Sequence, residues 1–126
     1  MLFRSKTLER KLIASDIGRC MKLSTDGKRM YFVLKSNDVE WFIYSMDCEN
    51  FSLTRIAQTL KGSEDFALLP DNNIILGNES RLYQLENTGL WTMIADFSAE
   101  LPGFYRIAVN ESCSLLALVA YTGKKP

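Results

Sequence analysis

A strand–turn–strand pattern recurs along this chain at nearly constant spacing. Its first copy is "LSTDGKRMYFV" (Leu23–Val33), where Asp26-Gly27 divides the alternating Met21-Lys22-Leu23 from the continuous apolar run Met30–Leu34. Short apolar runs bounded by turn residues read as buried strands. Asp-Gly suits the turn because Gly27 enters positive φ without a Cβ clash. The second copy is "DFALLPDNNIILG" (Asp65–Gly77), with Pro70–Asn73 in the turn. A third begins at "YRIAVNESCSLLALVAY" (Tyr105–Tyr121) and turns at Asn110–Ser112. Aligned on their turns, Asp26, Asp71 and Ser112 lie 45 and 41 residues apart.

Further strands fill the intervals. After the Ser36–Asp38 turn, "EWFIYSM" (Glu40–Met46) reads as a third strand and "FSLTRIA" (Phe51–Ala57) as a fourth. In the second copy these places fall to "RLYQLE" (Arg81–Glu86) and "LWTMIA" (Leu90–Ala95). Four short strands in a repeat of about 40–45 residues describe a β-propeller blade. The expected fold is therefore all-β: antiparallel four-stranded meanders arranged as the blades of an incomplete propeller. One domain spans 1–126, with blades near 17–61, 62–98 and 99–123. Residues 1–16 supply an outer strand of a preceding or closing blade through "TLERKLI" (Thr7–Ile13), although "ERKLIASD" could also form a helix. An antiparallel sandwich or barrel with regular hairpins is the alternative architecture.

Charge excludes some partners. Lys+Arg 15 and Asp+Glu 15 cancel, so the basic excess that general nucleic-acid backbone binding requires is absent. The longest apolar run, Leu115–Tyr121, is far short of the roughly 20 residues that cross a bilayer as a helix. No membrane insertion is expected. Cys20, Cys48 and Cys113 show no paired metal-ligand spacing and read as small buried hydrophobes.

The hairpin "LSTDGKRMYFV" resembles the repeat of TolB-like propeller proteins. "TLKGSEDFALLPDNNIILG" (Thr59–Gly77) and "RIAVNESCSLLALVA" (Arg106–Ala120) look like two further blades of the same kind. The resemblance covers roughly Ile17–Tyr121 and implies six-bladed propellers, often extracytoplasmic. Departures occur at the turns. Thr25 replaces the repeat's Pro, and Asp71-Asn72 and Ser112-Cys113 replace its Asp-Gly. Asn72 suits a left-handed position; Cys113 suits it less. A six-bladed ring needs about twice this chain, so missing blades in a larger chain or a homodimer are both expected possibilities. A TolB-like parent implies a periplasmic or extracytoplasmic location; a chain complete as written implies a cytoplasmic one.

The chain has no histidine, which removes Ser-His and Cys-His nucleophile systems and imidazole metal ligands. It also lacks nucleotide-cradling glycine motifs. No cofactor, metal site or catalytic residue is assigned. Glu64-Asp65 is an adjacent acidic pair, but neighbours on a strand point to opposite faces, an awkward arrangement for paired acid–base work.

In a propeller, the loops leading into the innermost strands share one face with the loops between second and third strands. The lead-in loops contribute Asp16, Arg19, Glu64, Asp65, Tyr105 and Arg106 as candidate ligand-binding residues. The second-to-third loops add Asn37, Asp38, Asn78 and Glu79. The expected function is a noncatalytic interaction module that binds a protein or extended ligand through this loop face. The alternatives are a ligand- or carbohydrate-binding accessory part of a larger enzyme, and a carboxylate-dependent hydrolase.

Overall fold

The structure, a computed structural model, describes residues 2–4 and 9–122. It is all-β. Twelve strands follow in order: β1 (Leu2–Arg4), β2 (Glu9–Lys11), β3 (Ile17–Leu23), β4 (Arg29–Leu34), β5 (Phe42–Asp47), β6 (Leu53–Gln58), β7 (Phe66–Leu68), β8 (Ile74–Asn78), β9 (Arg81–Leu85), β10 (Trp91–Asp96), β11 (Phe104–Val109) and β12 (Leu116–Ala120). β3–β6 and β7–β10 are four-stranded antiparallel meanders in sequence order, while β1–β2 and β11–β12 are two-stranded hairpins. The expected outer strand at Thr7–Ile13 is described only from Glu9 onward. There Glu9–Lys11 pairs with Leu2–Arg4, an additional strand that the sequence reading omitted.

The three aligned turns share one hydrogen-bond scheme. Ser24 N–H donates to the Arg29 carbonyl (2.8 Å), and Gly27 N–H to the Ser24 carbonyl (2.9 Å). Leu69 and Asn72 repeat this with Asn73 and Leu69, and Asn110 and Cys113 with Leu115 and Asn110. The residues at Gly27's place, Asn72 and Cys113, have φ of +64° and +55°. Cys113 thus adopts a backbone conformation its side chain disfavours, held by the ladder on either side.

Strand alternation divides the apolar residues between two interfaces. Tyr31, Val33 and Ile43 of the first meander meet Phe66, Ile74 and Leu76 of the second. On the second meander's other face, Ala67 and Leu82 meet Phe104 and Ile107 of β11. β3 runs beside β7, and β7 and β8 run beside β11. The middle sheet is therefore covered on both faces. Fully burying a side chain such as Phe66 or Leu76 stabilises by about 1.5–3 kcal/mol. Gly77 permits the second contact: a Cβ there would stand 2.6 Å from Phe104 Cε2. Trp41 and Trp91 pack against the first cluster. The cysteines are half-buried rather than core residues.

Candidate functional site

The lead-in segments before β3, β7 and β11 deliver charged side chains to one end of the sheets. Arg19 lies on β3, Glu64 and Asp65 immediately precede β7, and Tyr105 and Arg106 lie on β11. Arg19 is the centre. Its Nε donates to Asp65 Oδ1 (3.3 Å), and its Nη2 donates to Asp65 Oδ2 and to the Tyr105 carbonyl (2.8 Å). Its Nη1 stands 3.4 Å from Glu64 Oε1. Arg106 Nη1 reaches Asp65 Oδ1 at 3.1 Å. One carboxylate thus joins guanidinium groups carried by two different sheets.

Glu64 approaches the backbone of β3 because residue 18 is glycine. A Cβ on Gly18 would stand 2.7 Å from Glu64 Oε2. That oxygen accepts the Arg19 backbone N–H (3.3 Å) and pairs with Lys35 Nζ at 2.6 Å. Lys35 also lies 4.4 Å over the Trp41 ring. Sequence reasoning missed Lys35. Its signal was the β3–β4 hairpin itself: with Ile17 opposite Leu34, the next residue emerges beside the lead-in to β3.

The adjacent acids were expected to diverge. They converge, because Ser63–Asp65 is not strand and the alternation rule does not govern it. Asp16 stays outside the network: it is exposed, has φ of +58°, and offers its backbone carbonyl to Lys35 N–H (2.8 Å). Tyr105 contributes its carbonyl to Arg19, while its ring pairs with Tyr121 at 4.8 Å between centroids. Among the second-to-third loop residues, Asn78 donates to the Lys61 carbonyl (3.1 Å) and to Ser63 Oγ (2.6 Å). Glu79 accepts the Phe104 N–H through its carbonyl (2.9 Å). Asn37 Oδ1 accepts the Val39 and Glu40 N–H groups, and Asp38 is exposed. The residues that gather are Arg19, Glu64, Asp65, Tyr105 and Arg106; Asp16, Asn37 and Asp38 are not among them.

Beside the network lies a polar recess of about 260 Å3, walled by Arg19, Asp65, Asn78, Tyr105 and Tyr121 among others. No family model, curated protein or solved structure matches the chain. The chemistry of the site therefore rests on its own geometry.

The two carboxyls differ. Burial pushes Glu64 up, but the Lys35 ammonium, the Arg19 N–H and the Arg19 guanidinium outweigh it and hold the group below the usual glutamate range. Burial also pushes Asp65 up, and there it prevails over Arg19, with the neighbouring Glu64 charge adding to the rise. Three of the four carboxylate oxygens accept hydrogen bonds, and the fourth, Glu64 Oε1, has the 3.4 Å ion-pair contact with Arg19 Nη1. On the cationic side, capacity remains. Arg106 makes its contacts among the described residues through Nη1, and its side chain is 48 % exposed. Among the described residues no three His, Cys, Asp or Glu side chains gather as a metal-binding group.

Proposed function

We propose that this chain is a noncatalytic binding module, its sheets arranged as propeller blades, that takes a protein segment or other extended ligand at the loop face around Arg19, Asp65 and Arg106. One observation carries the reading: every carboxylate oxygen of the site faces a cationic or N–H partner while the Arg106 guanidinium is half free. A general base or nucleophile needs a carboxylate oxygen with room for substrate. A recognition site needs spare donors fixed in place by neighbours, as Asp65 fixes Arg106.

The free guanidinium and the Tyr105–Tyr121 pair fit an acceptor-rich, partly apolar ligand. An extended peptide carrying a carboxylate has that character. Panning a random linear peptide library on the immobilised chain should enrich acidic peptides, and Arg106→Glu should abolish their binding while leaving the β-sheet circular dichroism unchanged. An unenriched library, or peptides that bind Arg106→Glu as well as wild type, would remove the proposal. In the same reading, ester, peptide and glycoside substrates turn over only at background. Turnover that Glu64→Gln abolishes with the fold intact would instead make the chain an enzyme.

A further inference from the structure

Two of the four sheets are half the size of the others. β11–β12 has two strands and ends at the edge of β12; β1–β2 has two strands and shares no ladder with any other strand among the described residues. Their places in the chain are complementary. Residues 12–16 lead from β2 into β3, just as residues 59–65 lead from β6 into β7. β1 and β2 thus hold the positions of the third and fourth strands of a meander preceding β3. β11 and β12 hold the positions of first and second strands. Joined in the order β11-β12-β1-β2, they form one four-stranded antiparallel sheet of the kind seen twice in the chain.

The faces beside these hairpins are complementary too. On the first meander, the side turned away from the core carries the cross-strand row Leu23, Met30, Met46 and Leu53. On β11–β12, the side turned away from the core carries Ala108 opposite Ala117, with Val119 opposite Arg106 at the end nearer the site. Leu23 is 54 % exposed and Val119 46 %. Long flexible thioethers and leucines on one face and short side chains on the other can interdigitate.

We propose that two copies of this chain assemble head to tail into one closed ring, each completing the other's broken sheet. β12 of one copy pairs along its free edge with the β1–β2 hairpin of the second, and the Ala108–Ala117 face packs on the Leu23–Met30 face. The contact occurs twice, related by a two-fold axis, so the outer edge of β12 and the two facing apolar surfaces are covered in each copy. The twelve strands among the described residues then make six four-stranded sheets in the pair. This assembly rests on the blade reading proposed above, and it places two copies of the Arg19–Asp65–Arg106 cluster on the loop face of a single ring.

Light scattering after size exclusion at micromolar concentration should give twice the 14.4 kDa chain mass. Ala117→Glu alone and Leu23→Lys alone should each halve that mass. Mixing the two variants should restore it, because one of the two contacts then pairs Glu with Lys and the other is wild type. A monomeric wild type overturns the proposal, as does a series of growing oligomers or a dimer indifferent to both substitutions. Should either variant lose its β-sheet circular dichroism, the wild-type mass still decides. A monomer whose peptide binding still depends on Arg106 would remove the ring and leave the loop-face function standing. A dimer with no peptide binding would do the reverse.

Discussion

Gly27 has nothing within 4 Å of the place where a Cβ would stand, so only its φ of +73° resists a side chain. Gly27→Val should cost about 1–3 kcal/mol by forcing a β-branched residue into the left-handed region. Gly27→Asn should cost clearly less, since Asn72 occupies the equivalent place at φ +64°. Urea midpoints of the two variants check this, and equal losses would show that something other than backbone strain is at work. Asp26 belongs to the same turn: Ser24 Oγ (2.6 Å) and Lys28 N–H (3.0 Å) donate to it and hold its carboxyl below the ordinary range. Glu64 titrates with consequence because its folded value is lowered. The stability it contributes is present above the unfolded glutamate value near 4.5 and is lost as pH falls through the folded value. Glu64→Gln should therefore lower the urea midpoint at pH 7 and make little difference at strongly acid pH. A difference that stays constant with pH would exclude the Lys35 and Arg19 charges as its source. Asp65 has the opposite sign: its raised value makes its ionisation oppose folding as pH rises through the unfolded aspartate range.

The strands themselves were largely legible, because period-two alternation and turn residues are local signals. Met30–Leu34, read as a strand from its apolar run and the preceding Asp-Gly, is β4 at Arg29–Leu34. "RLYQLE" and "LWTMIA" correspond to β9 and β10 within a residue at their ends. Less legible was anything set by the packing of one sheet on another. Glu64 and Asp65 looked divergent under a strand rule that does not hold in their loop, and Lys35 entered the site through a hairpin register that composition does not display. Asp16 was chosen by position in a lead-in loop, but its left-handed backbone turns its carbonyl, rather than its carboxylate, toward Lys35. Gly77 illustrates the same limit. It sits within β8 as an unremarkable strand glycine, yet Phe104 occupies the space of its missing Cβ. Gly77→Val should destabilise by about 1–3 kcal/mol through overpacking. Adding Phe104→Leu should recover part of the loss in denaturant unfolding; strict additivity of the two changes would deny that they share one volume.

At the scale of the molecule, the sheets are ordered like a row, and each apolar cluster belongs to one neighbouring pair. Leu76→Ala in the middle sheet removes a fully buried side chain and should cost about 2–5 kcal/mol. Leu118→Ala, on the half-buried terminal hairpin, should cost less, and denaturant unfolding will rank the two. Amide exchange within the middle sheet should grade in the same sense, slow in β8, paired on both sides, and faster in β10, which has one neighbour.

That double covering of the middle sheet has a further meaning. Among the described residues the first meander and the β11–β12 hairpin share no apolar cluster; they are joined through β7–β10, through the carboxylate of Asp65, which grips an arginine from either side, and through the single hydrogen bond from Arg19 to the Tyr105 carbonyl. A row of this kind carries cooperativity from neighbour to neighbour and can be cut. Loss at either end leaves the remaining sheets with a common partner. A fault in the middle leaves two short pieces, neither with a second layer from its own chain to lie against, and the cluster that assembles Arg19 and Arg106 into one site comes apart with them.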